Sequence, residues 1–107
     1  MNIQHYTYRV TWSVEDGEFV GLCAEFPGLS WLADSMEAAL KGIANVVASA
    51  VTDMQTHAET VPSQISDRHY SGKFQVRIPP QRHRLLAMQA AEAGVSLNRL
   101  VSDRLAL

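Results

Sequence analysis

Apolar and polar residues change their rhythm several times along the chain, and each rhythm predicts an element. From Tyr6 to Val14 the run YTYRVTWSV is rich in aromatic and β-branched residues with imperfect alternation, which predicts a strand. An Asp-Gly turn inside EDGE (15–18) follows, and FVGLCAEF (19–26) predicts a second strand paired to the first as a hairpin. Pro27-Gly28 breaks this pattern, and LSWLA (29–33) predicts a short third strand. Asp34 and Ser35 stand at a helix N-cap, with Glu37 in the first turn. Met36, Ala39, Leu40, Ile43, Val47, Ala50, Val51 and Met54 then recur at helical spacing and give that helix a face to lay on the sheet. After Gln55 the periodicity fades, and residues 57–70 read as a linker with room for one short extended piece.

The rhythm resumes at Ser71. In SGKFQVRIPP, Lys73, Gln75 and Arg77 alternate with Phe74, Val76 and Ile78, so a strand with one wet and one dry face is predicted. Pro79-Pro80 closes it, because proline cannot donate to a ladder but can open a helix. One helix is predicted over Gln81–Ala93, ended by Gly94. A second begins after Ser96 as N-cap and carries Leu97, Leu100, Val101 and Leu105 on one face. The expected class is α+β, with a β-β-β-α domain over 1–56, the linker at 57–70 and a strand-helix-helix domain over 71–107.

Charge divides at the same place. Residues 1–70 hold three basic and nine acidic side chains, a net −6, whereas residues 71–107 hold six basic and two acidic, a net +4, which together give the chain's −2. An acidic module joined to a basic one implies two binding roles. Nothing in the sequence spans a membrane, since Lys41, Asn45 and Ser49 interrupt its most apolar stretch. The N-terminus has no basic region followed by an apolar run, and the single Cys23 cannot form an internal disulfide, so a cytoplasmic location is expected.

The lone C-terminal strand needs a partner, because its backbone donors and acceptors have no ladder and 37 residues bury too little core. It can add to the edge of the N-terminal sheet or pair with the same strand of a second copy. In the second case Val76 and Ile78 point to the shared helices, and Lys73, Gln75 and Arg77 of both copies face outward on a narrow ribbon. Such a ribbon fits the major groove, where arginine and lysine suit guanine edges and glutamine suits adenine. The start of the second helix, Ser96 to Asn98, would hold a phosphate. KFQVRIPP, a helix, GVSLNRLV and a second helix resemble the ribbon-helix-helix DNA-binding domain. That resemblance implies a homodimer or higher assembly on double-stranded operator DNA, with bases read by Lys73, Gln75 and Arg77 and the backbone anchored by Ser96 and Asn98.

A second resemblance covers Tyr8 to Leu40. DGEFVGLCAEFPGLS and the Trp31 after it are similar to the HicB antitoxin family. The resemblance implies a small, partial ribonuclease-H-like domain, which binds and neutralises a small basic RNA-cleaving toxin of the HicA type, ahead of a DNA-binding domain that represses the shared operon. Glu15, Asp16, Glu18, Glu25 and Trp31 are the candidate toxin contacts. The alternative is a stand-alone dimeric repressor whose N-terminal domain senses a ligand or serves oligomerisation.

No catalytic role, metal or cofactor is expected. A nuclease site needs carboxylates converging on metal ions, and of the candidates Asp16, Glu18, Glu25 and Asp34, Asp16 has a turn role and Asp34 sits beside a cap. His5, His57, His69 and His83 lack paired ligand spacing, and His83 lies between Arg82 and Arg84 on a solvated or phosphate-proximal helical turn.

Overall fold

The computed structural model describes residues 2–106. They form a three-stranded antiparallel sheet followed by helices, an α+β arrangement, and the chain divides into two compact units between Tyr70 and Ser71.

In the first unit β1 (Tyr8–Ser13), β2 (Glu18–Cys23) and β3 (Ser30–Ala33) lie in the order β1-β2-β3. The hairpin register runs from Tyr8 opposite Cys23 to Ser13 opposite Glu18, and β3 joins with Phe19 opposite Ala33. Gly17 takes φ +63 in the turn, a left-handed conformation that glycine adopts without strain. Its N–H closes on the Ser13 carbonyl at 2.9 Å.

Side chains alternate across a strand, so Phe19, Gly21 and Cys23 share one face with Tyr8, Val10 and Trp12. Helix α1 (Met36–Thr56) packs on this face. It approaches so closely at Gly21 that an added Cβ would lie 2.5 Å from the Ala39 carbonyl oxygen and 2.8 Å from Ile43 Cγ2. Gly42, on α1 itself, allows a similar close approach, since an added Cβ there would strike the Trp31 indole. The core is Tyr6, Cys23, Phe26, Ile43, Val47 and Val51, with Ile43 and Val47 fully buried. Each of those two aliphatic side chains contributes about 1.5–3 kcal/mol.

Of the boundaries that differ from the sequence pattern, three have a clear local reason. β1 begins at Tyr8, because Tyr6 turns inward: its amide closes a short 3-10 turn (Ile3–His5) and its ring packs edge-on to Phe26 at 5.2 Å. β2 stops at Cys23, where the Phe26 amide folds back to the Cys23 carbonyl at 3.1 Å. α1 continues two residues beyond Met54 to Thr56, whose hydroxyl donates to the Thr52 carbonyl.

The largest difference concerns residues 57–70, expected as a linker. They are held to the first unit as a strap. Tyr6 donates its hydroxyl to the Pro62 carbonyl at 2.7 Å, Gln64 Nε2 donates to the Asn2 carbonyl at 3.0 Å, and Ser66 donates to the His5 carbonyl at 2.8 Å. A second 3-10 turn, Ile65–Asp67, takes the place of the expected extended piece.

In the second unit α2 (Pro80–Ala93) and α3 (Leu97–Leu105) form a helical hairpin. Gly94 closes α2 at φ 70, and the amides of Gly94 and Val95 satisfy the Ala91 and Ala90 carbonyls at 3.2 and 3.0 Å. Ser96 caps α3 by accepting the Arg99 amide at 3.0 Å. The expected strand at 73–78 is not one of the three strands of the sheet. Among the described residues its backbone carries no ladder, turn or helix.

Candidate nucleic-acid and protein interfaces

The segment 73–78 enters after Gly72 at φ +84 and leaves through Pro79. Ser71 Oγ accepts the Lys73 amide at 3.1 Å, which fixes the bend ahead of it. The side chains of Lys73, Gln75 and Arg77 are exposed and form no hydrogen bond among the described residues. Phe74 and Val76, the intended dry side, are 74% and 69% exposed. Ala90 is the single buried residue described in this unit. A groove of about 880 Å³ runs along it, lined by Phe74, Val76, Ile78, Leu86, Leu97 and Val101. Lys73, Arg77, His83 and Asn98 also border the groove. The unit therefore has an apolar face without a lid and a cationic, amide-bearing margin beside it. Ser96 spends its hydroxyl on the cap, while Asn98 in the first turn of α3 is exposed.

The candidate toxin contacts separate into three environments. Glu15, Asp16 and Glu18 gather at the hairpin tip, where Asp16 is tied to the Ser13 hydroxyl at 2.8 Å and Glu15 is exposed. Trp31 is 47% exposed, with its indole over Gly42, so it packs and is visible at once.

Glu25 is different. It is 8% exposed, and its carboxylate is used inside the chain. Oε1 accepts the Thr7 amide at 2.9 Å, and Oε2 accepts the Thr7 hydroxyl at 3.2 Å and the Ile65 amide at 2.9 Å. Cys23 Sγ adds a weak donor at 3.5 Å. Burial alone would push this carboxyl up, but the donated bonds from Ile65 and Thr7 together outweigh it and bring the pKa down to about 2. Glu25 is thus the buckle of the strap, with its carboxylate committed inside the chain. Its neighbours feel the buried charge. Tyr8 is pushed up to about 12, first by burial and then by Cys23 and Glu25, and burial foremost raises the Cys23 thiol.

The alternation of the strands did not single out Trp12. It is 51% exposed and stacks edge-on to Phe19 at 5.0 Å, beside the acidic tip. Its position one step beyond Val10 on the helix-facing parity was legible; that α1 leaves half of it open was not. Among the described residues no three His, Cys, Asp or Glu side chains converge on a point that could hold a metal ion, and no helix is long and apolar enough to cross a membrane.

The nature of the second unit, with the strap that leads into it, bears on the chain's relationships. Residues 57–105 match the HicB family. The match takes in the strap, the exposed segment 73–78 and both helices of the second unit. Tyr8 to Leu40, which carries the HicB likeness read from the sequence, lies outside the matched residues. No curated protein and no solved structure matches the chain. Similarity to the HicB family over these residues is consistent with an antitoxin role.

Proposed function

We propose that the chain is an antitoxin that binds and neutralises a HicA-type RNA-cleaving toxin through its first unit and represses its own operon through its second. The observation that carries this reading is the bare segment 73–78 within the HicB match: a backbone without a ladder, an apolar side without a cover and a polar side of Lys73, Gln75 and Arg77 without partners. A second copy supplies the first two needs, and DNA supplies the third. Two such segments pair into an antiparallel ribbon, and Phe74, Val76 and Ile78 close over the grooves of both copies. Covering Phe74 and Val76 contributes about 1.5–3 kcal/mol for each side chain. The ribbon's outer side then reads bases, while Ser96 and Asn98 at the start of α3 hold the backbone. This is the ribbon-helix-helix reading.

The first unit is the toxin-binding module in this account, a partial ribonuclease-H-like domain that performs no chemistry. Its net −6 suits a basic RNA-binding surface, with attraction over distance supplied by the charges. Glu15, Asp16 and Glu18 beside the open Trp12–Phe19 pair join an aromatic anchor to an acidic rim, a combination suited to an interface centre.

The test uses two variants of the full chain. Val76→Asp places a charge in the shared core and abolishes dimerisation and operator binding together. Arg77→Ala leaves the dimer intact and weakens operator binding by about 1–3 kcal/mol. Sedimentation showing an unchanged dimer for Val76→Asp would exclude the ribbon as the assembly surface. Unchanged operator affinity for Arg77→Ala would exclude the assignment of its outer side.

A further inference from the structure

The cations of the second unit fall into two groups. Those on α3 are occupied: Arg99 Nε lies 3.3 Å from Asp103 Oδ2, and Arg104 Nη2 donates to Gln89 Oε1 at 3.0 Å. Lys73, Arg77, Arg82 and Arg84 form no ion pair or hydrogen bond through their side chains among the described residues. No acidic residue occurs between Asp67 and Glu92, so the free cations share a stretch without internal counter-charge.

Arg82 and Arg84 are the unexplained members. Both are exposed at the beginning of α2, whose first turn contains no acid and whose N-cap, Pro79, supplies no side-chain bond. A helix favours anions at this end, so its dipole gives these two guanidiniums no support. Both are free to meet negative charge from outside. Their place in the chain narrows what that is. The five residue steps from Arg77 to Arg82 span at most about 17 Å, and the major groove is about 12 Å wide. With Arg77 on a ribbon in the groove, side chains that follow this closely reach the groove wall, which is phosphate.

We propose that Arg82 and Arg84 contact the DNA phosphate backbone and form a second backbone anchor in each subunit, distinct from that at Ser96 and Asn98. The proposal rests on the DNA-binding reading above. The contacts are sequence-independent: each guanidinium replaces condensed counter-ions on a phosphate and discriminates no base.

The experiment measures binding of the full chain to a duplex from its own upstream region and to a scrambled duplex, by fluorescence anisotropy over a series of salt concentrations. Arg82→Gln and Arg84→Gln are compared with the unaltered chain, and Lys41→Gln, an exposed change in the first unit, serves as control. Glutamine is a good helix former, and circular dichroism verifies that α2 persists. Each arginine variant weakens binding to both duplexes in parallel and lowers the slope of log affinity against log salt by about 1.8 per dimer, two phosphates at about 0.9 each. Lys41→Gln changes neither. An unchanged slope in both arginine variants overturns the anchor, as does a loss restricted to the cognate duplex, which would mean base reading. If the unaltered chain binds neither duplex at any salt concentration, the DNA-binding reading itself fails, and the two failures are told apart.

Discussion

Replacing Glu25 by glutamine tests the strap with little change of shape. The carboxylate presents acceptors on both oxygens, to the Thr7 amide on one and to the Thr7 hydroxyl and Ile65 amide on the other. A glutamine amide keeps one acceptor and turns the other position into a donor. The favoured orientation keeps its oxygen toward Ile65, because Thr7 is exposed and water can satisfy its amide instead. One bond is then lost and two change from charge-assisted to neutral, a cost of about 2 kcal/mol. At about 4–8 °C per kcal/mol for a domain of this size, the melting temperature falls by roughly 8–16 °C. If the strap opens by itself, exchange of the Ile65 amide accelerates about 30-fold, since each 1.4 kcal/mol is about a factor of ten. The pH dependence has a definite sign. With a folded pKa of about 2, below the ordinary carboxylate value of 4.5, the ionised Glu25 stabilises fully above that ordinary value, and its contribution is lost as pH falls toward 2. The gap between the two proteins therefore narrows with acidification. Hydrogen exchange and thermal melts at neutral and acidic pH measure both effects. A variant that melts within a degree of the unaltered chain, with unchanged exchange at Ile65, would refute the buckle.

Two further outcomes follow from the packing. Gly42→Ala destabilises by about 1–3 kcal/mol, because displacement of the Trp31 indole outweighs the gain in helix propensity; a thermal melt and a shift in tryptophan emission report it, and an unshifted emission would contradict the contact. Cys23 is 2% exposed with a raised thiol pKa, so it reacts slowly with an aromatic disulfide in the native chain and at the rate of a free thiol in urea. Rapid native reaction would contradict its burial.

The helices and their caps were legible in the sequence because they are local. Ser35 and Ser96 accept amides three residues on, and Gly94 occupies the left-handed position that its place after Ala93 implies. The strap was not legible, since its bonds join side chains to backbone groups 40 to 62 residues away. One signal was present: Glu25 shares its parity with Phe19, Gly21 and Cys23, so an acid stood on the inward side of an apolar run. The resemblance made it a candidate toxin contact, whereas alternation pointed inward. The segment 73–78 shows a different limit. Its two-sided pattern was plain, but among the described residues it forms no strand of a sheet, and its dry side stays open.

Purification of the tagged chain from its native host, followed by intact mass spectrometry of what accompanies it, tests the antitoxin account most directly. The account predicts a small basic protein in near-stoichiometric amount, whose expression alone halts growth and whose effect this chain relieves. A chain that emerges unaccompanied yet binds its own promoter would contradict the antitoxin role and leave a dimeric repressor.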